Sequence, residues 1–176
     1  MSASGKHFLF LTMATQLKNL SDFAHIEVAS AAAFKFGIVV SQWNADVTEA
    51  LYKGAYDLLL SKGALPENIY SAAVPGSYEL ISGADMLLSH RPLIAVICLG
   101  CVIQGETRHF DFICNAVATG IAEVSIKHNK PVIFGVLTTD NLQQALDRSG
   151  GKHGNKGEEA AVTAIQMADL QDKLLG

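Results

Sequence analysis

A polar segment that could bind and protonate a ligand follows the most apolar stretch of this chain. Residues 92–103, PLIAVICLGCVI, are typical of a buried strand, and residues 105–115, GETRHFDFICN, come next. Free backbone N–H groups near Glu106 and Thr107, at the start of an expected helix, suit a phosphate group. His109 would lie beside that phosphate, and histidine commonly transfers protons near neutral pH. Because polar residues cluster at helix starts in any case, a solvated surface helix explains the same segment.

Two other strand ends carry side chains with binding chemistry. Trp43 follows the apolar run at residues 34–41, and its ring could stack on a flat heterocycle, cap the core or fill a subunit interface. The turn PGS at residues 75–77 exposes backbone groups that can hydrogen-bond a polyol or a ring. Glu79 is either a carboxylate favoured by the dipole of a helix start or a partner for ligand N–H and O–H groups.

The segment GGKHGNKG at residues 150–157 superficially resembles a phosphate-binding loop. It does not have the spacing of a Walker A motif, and no Ser or Thr follows the lysine, so a flexible basic turn between two helices explains it. Arg148 is a better candidate for a bidentate grip on phosphate. No G-x-G-x-x-G follows the first strand, which argues against a dinucleotide site, and no Ser or Cys nucleophile elbow is present.

The elements that must position these residues alternate between strand and helix. This order predicts right-handed crossovers and a parallel sheet with helices on both faces, whose ligands bind beyond the carboxyl ends of the strands. Asp46 is the expected N-cap of the first helix, with Glu49 three residues later, and Gly63 its expected end. The residues alone therefore predict an α/β, flavodoxin-like oligomer with a site for a planar, phosphorylated or polyhydroxylated ligand. The expected strands are 34–41, 68–74, 93–103 and 130–139, and the expected helices are 45–63, 77–90, 109–129, 140–150 and 158–175.

Composition limits the classes of protein that this chain can belong to. Of its 176 residues, 49% are hydrophobic and only 17% are charged, against about 25% in typical soluble domains. This shortage of charge predicts that other subunits cover part of the surface. The net charge of −4 argues against nucleic-acid or anionic-membrane partners, which need a basic face.

The cysteine content indicates reduced thiols in a cytoplasmic protein. Cys98 and Cys101 form a C-x2-C, but positions three apart in a strand face opposite sides, and no second pair follows at metal-ligand spacing. With Cys114 the count is odd, and we expect no metal site. The apolar run HFLFLTMA at residues 7–14 is too short to span a membrane and is a poor signal peptide.

Five segments, in order and with family-like spacing, closely resemble the 6,7-dimethyl-8-ribityllumazine synthases. They are GIVVSQWN, VPGSYEL, GCVIQGETRHFDFICN, PVIFGVLTT and ALDRSGGKHGNKGEEAA. The match runs from about residue 36 to about residue 170, so we expect a synthase domain over 36–176 and an N-terminal extension over 1–35. We expect this extension to be partly flexible or to pack on a neighbouring subunit. The resemblance implies that 5-amino-6-(D-ribitylamino)uracil condenses with 3,4-dihydroxy-2-butanone 4-phosphate, with release of phosphate and water. This is the penultimate step of riboflavin biosynthesis, and it needs no metal or organic cofactor.

The resemblance also implies roles for individual residues. His109 matches the proton donor of the family. The carboxylate of Glu106 would repel a phosphate, so we expect its backbone N–H to be the useful group. The ribitylaminouracil would contact Trp43, where many members have Phe, the residues Ser77, Tyr78 and Glu79, and the backbone of Cys101, Val102 and Ile103. The phosphate would contact Glu106, Thr107 and Arg148, while Phe134 and Lys156 would reach the same pocket from a neighbouring subunit.

The resemblance further implies a flavodoxin-like, three-layer sandwich with a four-stranded parallel sheet, assembled as a homopentamer. Some members pack twelve pentamers into an icosahedral 60-mer, and an association with riboflavin synthase is a further expected partnership. The loop at residues 149–157 has no insertion and no Pro precedes Pro66, which favours the 60-mer. There are two rival hypotheses. One is a carrier that binds the heterocycle without turnover, and the other is a shell component whose main role is assembly. Because a carrier of the finished lumazine would not need a phosphate clamp, the presence of both His109 and Arg148 favours an enzyme.

Overall fold

The chain folds around a four-stranded, all-parallel sheet with strand order β2-β1-β3-β4. The computed structural model describes residues 27–175. The sheet strands are β1 (Phe36–Ser41), β2 (Ile69–Val74), β3 (Ala95–Ile103) and β4 (Val132–Thr139), and a small hairpin contains β5 (Ser149–Gly151) and β6 (Gly154–Asn155). The helices are α1 (Ala45–Ser61), α2 (Leu80–His90), α3 (His109–His128), α4 (Leu142–Asp147) and α5 (Lys156–Leu175).

Helices cover both faces of the sheet. Side chains of α1, α4 and α5 pack on one face, and side chains of α2 and α3 pack on the other. The central strand β3 is buried over most of its length, which explains its nearly continuous apolar run. These layers confirm the predicted α/β fold, a flavodoxin-like three-layer sandwich.

The two cysteines of the C-x2-C motif point to opposite faces of β3, as their spacing predicts. Cys98 packs among residues of α2 and α3, whereas Cys101 belongs to the cluster under α1 and α5. Burial raises the pKa of the Cys98 thiol to about 12 and that of Cys101 to about 11. Both thiols therefore stay protonated at neutral pH and serve as core side chains.

The start of α1 differs from the sequence prediction. The helix begins at Ala45, and the residue before it is Asn44, which has a left-handed backbone with φ 60° and ψ 49°. Asp46 lies in the first turn and is not the N-cap. Asn is one of the few residues other than glycine that adopt this conformation readily, and it lets the chain turn sharply from β1 into the helix. The helix ends at Ser61, two residues before the predicted end at Gly63. Gly63 has a positive φ of +95°, as is common for the glycine that follows a helix.

The segment at residues 150–157 is an ordered hairpin and not the flexible turn expected from its composition. β5 and β6 pair antiparallel, and the side chain of Asn155 fixes them to neighbouring helices. Its Nδ2 donates to the carbonyl oxygen of Ala50 at 2.9 Å, and its Oδ1 accepts from the backbone N–H of Gly157 at 2.8 Å. These contacts could not be predicted from local composition, because Ala50 is distant in the chain.

Only part of the expected N-terminal extension lies within the described residues. Ala31 is fully buried, and its N–H donates to the carbonyl oxygen of Lys62 at 2.9 Å, so this part packs on the core of its own subunit. Residues 1–26, including the apolar run HFLFLTMA, lie outside the described residues. Between residues 27 and 175, no helix is both long and apolar enough to cross a membrane.

An ion-pair cluster joins α2 to α3. Oδ1 of Asp85 lies 2.7 Å from Nζ of Lys127 and 2.6 Å from Nε2 of His128. The hydrogen bond from Lys127, and next the one from His128, hold the pKa of Asp85 below its usual value of 3.8. Because the folded pKa is the lower one, this carboxylate stabilises the fold above pH 3.8, and the contribution is lost as the pH falls through the folded value.

Asp85→Asn should therefore lower the free energy of unfolding by about 1 kcal/mol at pH 7, because two charge-assisted hydrogen bonds are weakened. The difference from the wild type should shrink as the pH falls below 3.8 and through the lowered folded pKa of Asp85, because the wild-type carboxylate then also becomes protonated. Urea unfolding at neutral pH and below pH 3.8 measures both quantities. Asp57→Asn is the control, since Asp57 pairs only with Lys53 on the exposed side of α1 and should have a smaller effect. An equal loss at both pH values would contradict this account.

Candidate active site

A cleft of about 750 Å³ opens at the carboxyl ends of β1, β2 and β3. Parallel strands bring these ends to one edge of the sheet, so three segments that are distant in sequence meet there. Most of the residues predicted to contact a heterocycle and a polyol lie in this one cleft. Its lining consists of Trp43, Asn44, Pro75, Gly76, Ser77, Tyr78, Glu79, Cys101, Val102, Ile103, His109 and Ile113.

Trp43 stands at the mouth of this cleft with 74% of its surface exposed. The segment after β1 is hydrogen-bonded to the end of β2. The N–H of Gln42 donates to the carbonyl oxygen of Val74 at 2.9 Å, and the N–H of Trp43 donates to the carbonyl oxygen of Pro75 at 3.2 Å. The backbone under the indole is therefore fixed while its ring stays accessible. Such exposure is inconsistent with a cap on the core of its own subunit, and it leaves ligand stacking or a subunit contact as the role of the ring.

Asn44 joins two strand exits and was not selected by sequence reasoning. Its Nδ2 donates to the carbonyl oxygen of Cys101 at 3.0 Å, which connects the end of β1 to the end of β3. The available signal was an Asn between a strand and a helix, where a left-handed residue is needed. Ile113, one turn into α3, was also missed, and it adds an apolar wall to the cleft.

The turn before α2 supplies polar groups to the cleft. Ser77 is 7% exposed, whereas Tyr78 is 53% exposed. Oε2 of Glu79 accepts a hydrogen bond from the N–H of Gly76 at 3.0 Å and so stabilises the turn that carries Ser77. One carboxylate oxygen of Glu79 thus has a structural role, and a ligand would use the other.

His109 begins α3 and lines the cleft, while the two residues predicted beside it are not among the residues that line the cleft. Oγ1 of Thr107 accepts from the backbone N–H of His109 at 3.4 Å, so it occupies one of the groups that a phosphate could use. Glu106 and Thr107 are exposed and are not part of the cleft lining. At Gly105, just before them, no neighbouring atom lies within 4 Å of the position that a Cβ would take.

Arg148 and Lys156 lie together in a second, smaller cleft of about 170 Å³ at the end of β4. Within one chain this cationic cleft does not include His109. Lys156 forms an ion pair with Glu159. The cleft therefore contains two cationic side chains, Arg148 and Lys156, and one carboxylate, and this excess of positive charge suits an anion. Phe134 belongs to neither cleft, and it is 37% exposed on β4. The cationic cleft is lined by Val136, Leu137, Thr138, Thr139, Arg148, His153, Lys156 and Glu159.

The carboxylate next to Arg148 stays ionised. Nζ of Lys152 lies 3.0 Å from Oδ2 of Asp147, and hydrogen bonds from Lys152 and then Gln143 lower the pKa of Asp147. The N–H of His153 also donates to the carbonyl oxygen of Asp147 at 2.8 Å, so the hairpin is tied to the end of α4. Residue 148 is thereby fixed at the backbone while its guanidinium remains available.

Comparisons with known proteins identify the family of this chain. A family model described as 6,7-dimethyl-8-ribityllumazine synthase matches residues 33–172. A protein of that name from Cytophaga hutchinsonii is 59% identical over 88% of this chain and 97% of its own length. Proteins of the same name from Flavobacterium johnsoniae and Parabacteroides distasonis are each 50% identical, over 92% and 90% of this chain and 85% and 99% of their own lengths. The chain, an enzyme of riboflavin biosynthesis, therefore belongs to the 6,7-dimethyl-8-ribityllumazine synthase family.

Proposed function

We propose that this protein condenses 5-amino-6-(D-ribitylamino)uracil with 3,4-dihydroxy-2-butanone 4-phosphate and releases phosphate and water, the penultimate step of riboflavin biosynthesis. The observation that carries the proposal is the cleft in which an exposed indole, a polar turn and one histidine meet. A flat heterocycle with a polyol chain needs a ring platform and hydroxyl partners, and this cleft offers both.

The ribitylaminouracil is proposed to lie across the exits of β1 and β3. Its ring stacks on Trp43, and its polar edge bonds the backbone of residues 101–103, whose alignment is supported by the contact from Asn44. The ribityl chain extends towards Ser77 and Glu79. This orientation matches the aromatic mouth of the cleft to the ring and the polar turn to the polyol.

The phosphate ester is proposed to reach Arg148 across a subunit contact. Within one chain the cationic cleft is separate from the cleft that holds His109, so an adjoining subunit would supply Arg148, Lys156 and Phe134. A homo-oligomer is supported by the low content of charged residues, 17%, and by exposed large side chains such as Phe112 at 68%. We propose a pentamer, and twelve pentamers as its larger assembly.

Catalysis in this proposal rests on proximity and one proton carrier. Imine formation between the amine and the ketone, loss of phosphate and ring closure are steps that reactive substrates nearly complete unaided. Holding the two substrates in contact removes most of the entropic barrier. His109 moves protons during these steps, and Arg148 stabilises the departing phosphate anion.

The direct test mixes the purified protein with both substrates and follows the absorbance of the lumazine product. Acceleration over the spontaneous reaction supports the proposal. Binding of the lumazine without acceleration would instead indicate a carrier. Light scattering measures the particle mass separately, so that the assembly and the activity are judged by different observations.

Replacing His109 by alanine should reduce kcat by about 10- to 100-fold, at or below the lower end of the range for a general acid–base residue. The loss is moderate because the variant still holds both substrates together. Steady-state kinetics measures it, with light scattering to verify assembly. His90→Ala is the control, since His90 bonds the carbonyl oxygen of Met86 on α2 at 2.8 Å and lies outside the cleft. Complete loss of activity in a normally assembled His109→Ala protein would contradict the dominance of proximity.

A further inference from the structure

A buried serine below the cleft has no hydrogen-bond partner within residues 27–175. Ser41 is the last residue of β1, it is 1% exposed, and its Oγ bonds to no described atom. Buried hydroxyl groups in folded proteins almost always have a partner, because an unpaired one has lost its hydrogen bonds to water without replacement. The partner of Ser41 is therefore expected to come from outside the polypeptide, as a water molecule or a ligand group.

A second hydroxyl lies beside Ser41, across a glycine. A Cβ at Gly100 would stand 2.7 Å from Oγ of Ser77 and 3.4 Å from Oγ of Ser41. Both oxygens thus face the small space above the Cα of Gly100, on the side of the sheet covered by α2. Leu80 closes the same space, since its Cδ1 would lie 2.9 Å from that Cβ. The absence of a side chain at residue 100 is what keeps this space open.

The two hydroxyls differ in what a ligand can reach. Ser77 lines the cleft, whereas Ser41 is not part of its lining. A serine hydroxyl donates one hydrogen bond and accepts two, so a water molecule in this space can accept from Ser41 and donate to Ser77, while Ser77 donates onward into the cleft. Hydroxyls bonded in a row polarise one another, which strengthens the last bond of the row.

We propose that Ser41 is a positioning residue that orients the hydroxyl of Ser77, through one water molecule, towards a hydroxyl group of the ribityl chain. The inference rests on the proposed function and adds a residue to it. A polyol hydroxyl is the matching group because it can accept from Ser77 and donate to Glu79 on the same turn. One carboxylate oxygen of Glu79 accepts a hydrogen bond from the N–H of Gly76, and the other oxygen can accept the hydrogen bond from the polyol hydroxyl.

The test uses the full-length protein with Ser41→Ala, Ser77→Ala and the double variant. Fluorescence titration measures binding of two probes, 6,7-dimethyl-8-ribityllumazine and 6,7,8-trimethyllumazine, which lacks the polyol. Thermal unfolding without ligand measures stability. Ser125→Ala is the matched control, because the hydroxyl of Ser125 donates to Lys130 at 2.7 Å near the other end of the sheet.

Ser41→Ala should weaken binding of the ribityl probe by about 3- to 10-fold, the effect of one hydrogen bond, and leave the trimethyl probe unaffected. Its melting temperature should fall much less than that of Ser125→Ala, because within residues 27–175 the hydroxyl of Ser41 bonds to no protein group. The double variant should bind no more weakly than Ser77→Ala, since the two residues act in series. Ser125→Ala should show the opposite pattern, a lower melting temperature with unchanged binding of both probes.

Three results would overturn the inference while the proposed function stands. One is normal binding of the ribityl probe by Ser41→Ala, and another is a fall in its melting temperature as large as that of Ser125→Ala, which would show that Ser41 bonds to another group of the protein. Equal weakening of both probes would also overturn it, because the polyol would then not be the group recognised. Failure of the wild-type protein to bind either probe overturns the proposed function and the inference together.

Discussion

Arg148→Ala should raise the KM for 3,4-dihydroxy-2-butanone 4-phosphate by about 30- to 100-fold, the usual effect of removing one partner of a desolvated charge pair. The KM for the ribitylaminouracil should change by less than about 3-fold, as expected for a group that does not contact that substrate. The reason for this asymmetry is that a guanidinium can bond two phosphate oxygens at once, whereas the uracil carries no anion. Initial rates with each substrate varied in turn measure both constants.

Two further variants make this result specific. Arg148→Lys keeps the charge but loses the bidentate geometry, so it should fall between the wild type and Arg148→Ala. Lys152→Ala removes a neighbouring cation that pairs with Asp147 and should leave both KM values nearly unchanged. Equal increases for both substrates in Arg148→Ala would mean that the phosphate binds elsewhere.

Gly157→Ala should lower the free energy of unfolding by about 3 kcal/mol or more, the effect of overpacking where backbone leaves no room. Gly157 lies in the first turn of α5, and a Cβ there would overlap the carbonyl oxygen of Leu51 in α1. A carbonyl in the middle of a helix cannot move aside without breaking hydrogen bonds. The two helices, and the hairpin held by Asn155, would have to separate.

Gly105→Ala is the matched control for this substitution. Nothing lies within 4 Å of a Cβ at Gly105, so the added methyl group should change stability by less than about 0.5 kcal/mol. Urea unfolding of both variants gives the comparison. Wild-type stability in Gly157→Ala would show that α1 and α5 do not pack as closely as described.

The sequence predicted the elements and the sheet well, because their signals are local. The apolar run of β3, and each strand and helix in the alternating order, can be recognised from a short stretch of neighbouring residues. The opposite orientations of Cys98 and Cys101 follow from strand geometry alone. The meeting of Trp43, Ser77 and His109 in one cleft also follows, since parallel strands end at one edge of the sheet.

Other features depend on contacts in the folded chain that the spacing of the residues in the sequence does not indicate. Arg148 and Lys156 share a cleft because the hairpin folds back on α4, and nothing in their spacing indicates this. The role of Asn44 needs a contact with Cys101, which is 57 positions away. That Ser41 has no hydrogen-bond partner within residues 27–175 can likewise be seen only from the three-dimensional positions of its neighbours.

If the proposed function holds, the location of Arg148 and His109 in different clefts of one subunit makes activity depend on protein concentration. Under the proposed function, an isolated subunit would hold His109 without the Arg148 of a neighbour, and Arg148 without the His109 of a neighbour. Activity per polypeptide would then decline on dilution once neighbouring copies separate, and it would return when they reassociate. Quaternary contact and turnover would be governed by the same equilibrium.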